Sequence, residues 1–320
     1  MKYFFIILFI PNILFSQYTD SIVEITDFGK NPGNLKFYLH PNNSIKEKKR
    51  PLVIVLHGCT QNAKEAAELS GWNKLADTNN FIVIYPQQKF INNTNLCFNW
   101  FLNHDIDKNK GECESIFEMI TYTKSKFNVD SSKIFITGFS AGAAMSLVMV
   151  AVHPETFNTA ALFAGGAYKS ATNPIEAISV MLGKKQINSK DLAYLVKKQN
   201  VSYTQNYPKL IIYHAVNDPI VNYKNSNLII KQWTELYKSD TIPESIETDY
   251  KNIKTLTKET FNNQSGEIFL TRYSIDNIGH RLLVSPGESN NKGGKTGLFG
   301  IDLGYHSTYE TAQQFGIILK

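Results

Sequence analysis

From about residue 50 onward, unbroken apolar runs alternate with stretches whose apolar residues recur at helical spacing. Pro51-Leu52-Val53-Ile54-Val55-Leu56-His57 and Phe81-Ile82-Val83-Ile84-Tyr85 have no in–out alternation, as strands covered on both faces require. The second run is expected to stop at Pro86. Further strands are predicted over 133–137, 159–163, 209–213 and 267–273. Helices are predicted over 63–77, 112–126, 141–152, 224–237 and 307–318. Strands and helices in turn argue for parallel βαβ units with right-handed crossovers, hence an α/β fold with a mostly parallel central sheet and helices on both faces. Residues 21–40 hold shorter strand-like pieces and read as an antiparallel edge hairpin. Residues 168–206 lack strand signal and predict a cap over the sheet, and 285–305, rich in Gly, Asn and Lys, predict a long loop. With no internal repeat and no linker, residues 17–320 are expected to form one catalytic domain.

Residues 1–16 change the picture at the N-terminus. Lys2 precedes an apolar stretch from 3 to 15, broken at Pro11-Asn12, and Ser16 is a small residue before Gln17. This predicts a cleavable signal peptide, too short to span a membrane, and a mature chain that is secreted or periplasmic. No cysteine stands at the cleavage point, so no lipid anchor is expected. Over 320 residues the net charge is +5 without a dense basic block, which gives nucleic-acid binding no support. Three cysteines, Cys59, Cys97 and Cys113, allow one disulfide and one free thiol in an exported protein. Cys59 with Cys97 is the favoured pair, since both follow predicted strands on the side of the expected site. No Cys/His cluster has metal-ligand spacing, and no metal is expected.

The candidate chemistry begins at Gly138-Phe139-Ser140-Ala141-Gly142. This G-x-S-x-G joins a predicted strand to a predicted helix, the setting of a nucleophile elbow, where a tight turn projects the serine hydroxyl and demands small neighbours. A serine hydroxyl needs an imidazole base, and the imidazole needs a carboxylate to fix its tautomer. Asp218, in the turn just past the 209–213 strand and stiffened by Pro219, is the candidate acid. Of the two histidines beyond it, His280 in Asn277-Ile278-Gly279-His280 is the candidate base, and His306 reads as a surface or capping residue. Two N–H donors are needed for the developing oxyanion. Ala141 follows the nucleophile, and Cys59 sits in the loop His57-Gly58-Cys59-Thr60-Gln61 after the first central strand.

These segments come in a familiar order. His57 to Gln61, Gly71-Trp72, Ala76-Asp77, Tyr85-Pro86-Gln87, Cys97-Phe98-Asn99-Trp100-Phe101, Gly111-Glu112, Val129-Asp130, the elbow, and His153-Pro154-Glu155-Thr156-Phe157 resemble the esterases of the polyhydroxybutyrate depolymerase type, related to feruloyl and acetylxylan esterases. The resemblance runs from about residue 30 to the C-terminus. It implies an α/β-hydrolase fold, no cofactor, and hydrolysis of carboxylic esters by a secreted enzyme. Ser140, Asp218 and His280 fall on the family's triad positions, and Cys59 and Ala141 on its oxyanion positions. Ala143 stands where the elbow helix often has another glycine, and Arg281-Leu282-Leu283 where many relatives carry a tryptophan.

The expected activity is therefore serine-dependent hydrolysis of a hydroxyalkanoate-type polyester or of feruloyl or acetyl esters on plant polysaccharide. A peptidase of the same fold, a promiscuous small-ester esterase and a binding protein on the same scaffold are the alternatives. Trp100 and Tyr168 are candidate substrate contacts, while Phe101 and Phe139 read as core. The ester substrate is the partner expected, with no nucleic acid and no membrane anchor.

Overall fold

The computed structural model describes residues 21–41 and 48–318, so the proposed signal peptide lies outside the described residues. Its framework is a sheet of strands β1 (Val23–Ile25), β2 (Lys36–Leu39), β3 (Arg50–Leu56), β4 (Ile82–Gln87), β5 (Val129–Phe139), β6 (Thr159–Phe163), β7 (Lys209–Ala215), β8 (Ser245–Glu247), β9 (Leu256–Asn262) and β10 (Ile268–Ile275). They lie in the order β1-β2-β4-β3-β5-β6-β7-β10-β9-β8. The block from β4 to β10 is parallel. Antiparallel pairs close both edges: β1 and β2 at one end, as the sequence predicts, and β9 and β8 at the other.

Alternation along each strand splits the core into two layers. Leu52, Ile54 and Leu56 of β3 join one cluster with Ile134 and Ile136 of β5 and the helices Gly111–Lys126, Ala141–Val152 and Lys224–Tyr237. Val53 and Val55 join the other, with Phe135, Trp72 and Phe315 from the opposite face. The strands read as continuous apolar runs because both faces are covered. Among the described residues no helix is long and apolar enough to cross a membrane.

Four local expectations change. The predicted helix 63–77 is two helices, Ala63–Ser70 and Trp72–Asn79, because Gly71 turns left-handed at φ 74°. A Cβ at Gly71 would lie 2.5 Å from the Gly294 nitrogen, so the break lets the 293–294 backbone pack there. β4 runs through Pro86 rather than stopping before it. Gln88 N–H points toward β3, where it meets His57 Nε2, so the missing donor two residues earlier faces the same way. β3 pairs no further than Ile84, and the proline removes no ladder bond. Strands β8 and β9 lie in a polar stretch. Glu259 of β9 faces Arg272 of β10 across the ladder and forms a two-pronged ion pair with it at 2.5 and 2.8 Å, which adds to the burial of Leu256 and Phe261 of the same strand in the core. Finally, the 285–305 loop contains β12 (Gly300–Asp302), parallel to β11 (Leu282–Val284).

Candidate active site

β5 ends in the elbow. Ser140 stands at φ 56°, ψ −119°, a conformation that L-residues adopt only under constraint. The turn is that tight because a Cβ on Gly138 would lie 2.4 Å from the Gly142 backbone, and one on Gly142 2.4 Å from the Leu56 carbonyl oxygen. Ser140 N–H donates to the Phe163 carbonyl (2.8 Å), pinning the turn to the end of β6. Ala141 opens the helix Ala141–Val152, whose first N–H groups have no intrahelical acceptor and whose positive end therefore lies beside the serine.

Asp218 sits three residues past β7, with its side chain buried. Oδ1 accepts from the Ile220 and Val221 N–H groups (2.8 and 2.9 Å), and Oδ2 accepts from His280 Nδ1 at 2.7 Å. Burial pushes its pKa up, but the His280 hydrogen bond and charge and the two backbone donors outweigh it and hold the carboxyl below the usual range. An ionised Asp218 keeps the proton on His280 Nδ1 and leaves Nε2 free as a base. His214 lies behind the acid, 3.8 Å from Oδ2, and donates from Nε2 to the Val221 carbonyl. Burial lowers its pKa, so it stays neutral and does not compete for the carboxylate.

His280 follows Gly279, which takes φ +64° and donates its N–H to Asn217 Oδ1 at 3.1 Å. The acid loop and the histidine loop are thus tied together by the residue preceding the acid. The ring packs between Phe139 (4.6 Å between centroids) and Phe299 (6.4 Å, edge-on). Contact with Phe139, the residue before Ser140, brings the acid–histidine pair to the elbow.

Ser140, Ala141 and Cys59 line one cavity of about 290 Å³ together with Trp100, Phe101 and Val221. The Cys59 loop is held from several sides. His57 Nδ1 meets the Gly58 carbonyl at 2.7 Å, Gln61 Oε1 accepts the Gly58 N–H at 2.8 Å, and a disulfide joins Cys59 to Cys97, 38 residues away. Burial depresses His57 to about 4, so the ring is neutral and Nε2 accepts from Gln88 N–H. Cys113 is the free thiol; it is buried, and burial raises its pKa.

Of the two candidate substrate contacts, Trp100 lines the cavity, whereas Tyr168 is buried in the core with its hydroxyl on the Ile106 carbonyl at 3.3 Å. Its backbone is held on both sides by the buried Gln232 side chain, so it anchors the cap to the helix Lys224–Tyr237. Phe139 is buried in the core, as expected, and also packs on the His280 ring, while Phe101 is half-buried, packs against the core and also lines the cavity. His306, read as surface or capping, stands at the N-cap position of the helix Ser307–Gln314 but is buried and its side chain makes no cap bond; it meets the Ser70 carbonyl at 3.0 Å, and burial lowers it to about 4.

Sequence reasoning missed the cap's contribution. Pro174, Ala177, Ile178, Val180 and Met181 of the helix Pro174–Met181 line the cavity. Its start was legible: Asn173 caps the Glu176 N–H, with Pro174 in the first turn. Its placement was not. That depends on Asn222 N–H and Asn225 Nδ2 donating to the Met181 and Val180 carbonyls from the acid-loop side.

The chain is similar to several known proteins. The family model described as Esterase PHB depolymerase matches residues 34–240. Poly(3-hydroxyalkanoate) depolymerase C of Paucimonas lemoignei is 36% identical over 298 residues, covering 93% of this chain and 70% of that protein. Acetylxylan esterase A of Aspergillus oryzae is 31% identical over 237 residues, covering 72% and 76%. Among solved structures, the acetyl xylan esterase from Aspergillus awamori superposes with a TM-score of 0.77 over 93% of this chain and 100% of that one, at 24% identity. The fold is the α/β-hydrolase fold.

Proposed function

The chain belongs to the esterase PHB depolymerase family, whose relatives hydrolyse carboxylic esters, and from that premise we propose that it is a secreted serine hydrolase working through Ser140, His280 and Asp218. Ser140 Oγ attacks the ester carbonyl carbon while His280 Nε2 takes its proton. Asp218 holds the other face of the ring and stabilises the imidazolium. The carbonyl oxygen becomes an oxyanion facing the N–H groups of Cys59 and Ala141, and losing one such donor costs about 3 kcal/mol. The alcohol leaves with the proton from His280. A water, deprotonated by the same nitrogen, then releases the acid and restores the serine. Residues 17–320 form one catalytic domain, with residues 1–16 removed as a signal peptide.

The observation that carries this reading is the 2.7 Å bond between Asp218 and His280 beside a serine held at φ 56° on an elbow that opens into a cavity. Its substrate is a hydroxyalkanoate-type polyester or a feruloyl or acetyl ester on plant polysaccharide. The names of the relatives favour ester over peptide hydrolysis.

The test is a panel of poly(3-hydroxybutyrate), acetylated xylan, methyl ferulate and a short p-nitrophenyl ester, run with the parent and with Ser140→Ala. The variant should lose at least about 10³-fold in kcat while melting within a few degrees of the parent. Undiminished turnover by Ser140→Ala would end this reading.

A further inference from the structure

No step of the ester hydrolysis uses the ring of His214, which lies near the end of β7 and is 1% exposed. Its Nε2 is 2.7 Å from the Val221 carbonyl oxygen and 3.8 Å from Asp218 Oδ2. Both neighbours are acceptors, so the ring proton has to stand on Nε2. Nδ1 is buried and has no hydrogen-bond partner, so a second proton there would be left without an acceptor. Asp218 and His280 stand on the acid side of the ring. Tyr223 meets it edge-on from another side at 5.7 Å, with the Arg272 guanidinium over the Tyr223 ring and the Tyr223 hydroxyl on Ser274 Oγ. His214 is thus a fixed, neutral donor aimed at the acid turn.

The turn depends on few anchors. Asp218 Oδ1 is held by the Ile220 and Val221 N–H groups, which belong to the turn itself. Those bonds shape the turn without fixing it to the sheet. The His214 bond does fix it, because His214 lies in register beside Ser274 of β10. The Val221 carbonyl that accepts this bond shares one planar peptide unit with the Asn222 N–H, which donates to the Met181 carbonyl at 2.7 Å. A single rigid plane is therefore gripped on one edge by the sheet and on the other by the cap helix. Without the sheet-side grip the plane can pivot, and the Val221 N–H that holds Asp218 moves with it.

We propose that His214 is a positioning residue: its Nε2–H bond to the Val221 carbonyl sets the turn that presents Asp218 to His280. The inference rests on the Ser140–His280–Asp218 reading above and adds a residue to it. His306 offers a contrast within the same molecule. It is also buried with Nε2 on a backbone carbonyl, but that carbonyl belongs to Ser70, at the end of the helix Ala63–Ser70 and apart from the acid turn. What distinguishes His214 is the acceptor it holds.

The test is steady-state kinetics on p-nitrophenyl acetate with the parent, His214→Leu, His214→Gln and His306→Leu. Glutamine offers an amide N–H in place of Nε2–H, and leucine offers none. His214→Leu should lower kcat about tenfold or more with KM within about threefold, as loss of reacting geometry does. His214→Gln should bring kcat back to within about threefold of the parent, and His306→Leu should leave it within about twofold whatever it does to the melting temperature. In proton NMR spectra the low-field resonance of the Asp218–His280 bond should shift or broaden in His214→Leu and not in His306→Leu. Nitrogen–proton correlation spectra of the parent should show the His214 proton on Nε2 and an uncharged ring from about pH 5 to 8. A His214→Leu enzyme within about twofold of the parent, equal losses in the leucine and glutamine variants, or an unmoved low-field proton would overturn the proposal. If His214→Leu does not fold, the parent spectra decide, and a proton on Nδ1 or a ring that charges in that range would overturn it. Each of these outcomes leaves the serine mechanism standing, since that fails only if Ser140→Ala keeps its turnover.

Discussion

At Asp218 a carboxylate stays ionised against its own burial. Two backbone N–H groups and the His280 ring surround it, and their combined pull exceeds the desolvation cost. Its folded pKa is depressed, so its contribution to stability is present above the unfolded value of about 3.9 and is lost as pH falls through the folded value. The same bonds suit the residue to its proposed catalytic role. Asp218→Asn keeps the backbone contacts through its amide oxygen but offers an N–H to Nδ1, which favours the wrong tautomer of His280. We expect kcat on a soluble p-nitrophenyl ester to fall on the order of 10³–10⁴-fold with KM within a few-fold of the parent. A loss below about tenfold would remove Asp218 from the mechanism. The acid was legible because a strand end followed by Asn-Asp-Pro is a strong local signal. Asn217 was not, since its bond to Gly279 spans 62 residues.

Among the elements, the elbow and the Cys59 loop differ in what enforces them. The elbow is enforced by sterics: Gly138 and Gly142 admit no side chain where helix, strand and turn cross. Short-range packing of that kind is written into G-x-S-x-G. The Cys59 loop is enforced from a distance, by the disulfide to Cys97 and by Thr60 N–H on the Asn95 carbonyl at 2.7 Å. The paired change Cys59→Ser/Cys97→Ser should cost about 2–4 kcal/mol in a denaturant titration, as opening a cross-link over 38 residues does. It should also lower kcat more than it raises KM, because the proposed oxyanion donor, Cys59 N–H, lies in this loop and would act most strongly in the transition state. A stability loss under about 0.5 kcal/mol would show that the surrounding hydrogen bonds hold the loop unaided. β9 shows the converse limit of pattern reading. Its cross-strand Glu259–Arg272 pair satisfies an edge that hydrophobic periodicity cannot report.

Across the whole molecule, the segment that forms one cavity wall hangs on a buried acid pair. Glu112 accepts from Gln88 Nε2 and, at 2.8 Å, from Asn99 N–H, while Asp105 accepts from the Glu112 N–H at 3.2 Å and from Asn99 Nδ2 at 3.1 Å. Burial, then the nearby Asp105 charge, pushes Glu112 up to about 8, and burial also raises Asp105. For a carboxyl raised in this way the stabilising contribution is full below its unfolded value of about 4.3 and is lost as pH rises through about 8. The melting temperature of the parent should therefore fall relative to that of Glu112→Gln by several degrees between pH 5 and pH 9. A difference independent of pH would mean that Glu112 is ionised throughout that range.

By itself the sequence determined what depends on neighbours along the chain. Apolar runs such as those of β3 and β4 specify strands buried on both faces, the elbow specifies its own turn, and the order Ser140, Asp218, His280 follows from strand ends and glycine positions. Tertiary structure alone decided what depends on elements far apart in sequence. It split the helix at Gly71 to admit Gly294, let β4 pass through Pro86 on the side where β3 no longer pairs, buried Tyr168 and His306, and laid the cap helix Pro174–Met181 over the cavity. The physical reason is the range of the interactions. Backbone sterics and periodic burial act within a few residues, whereas a backbone approach, a missing sheet neighbour or an amide bridging two loops exists only once distant segments have met.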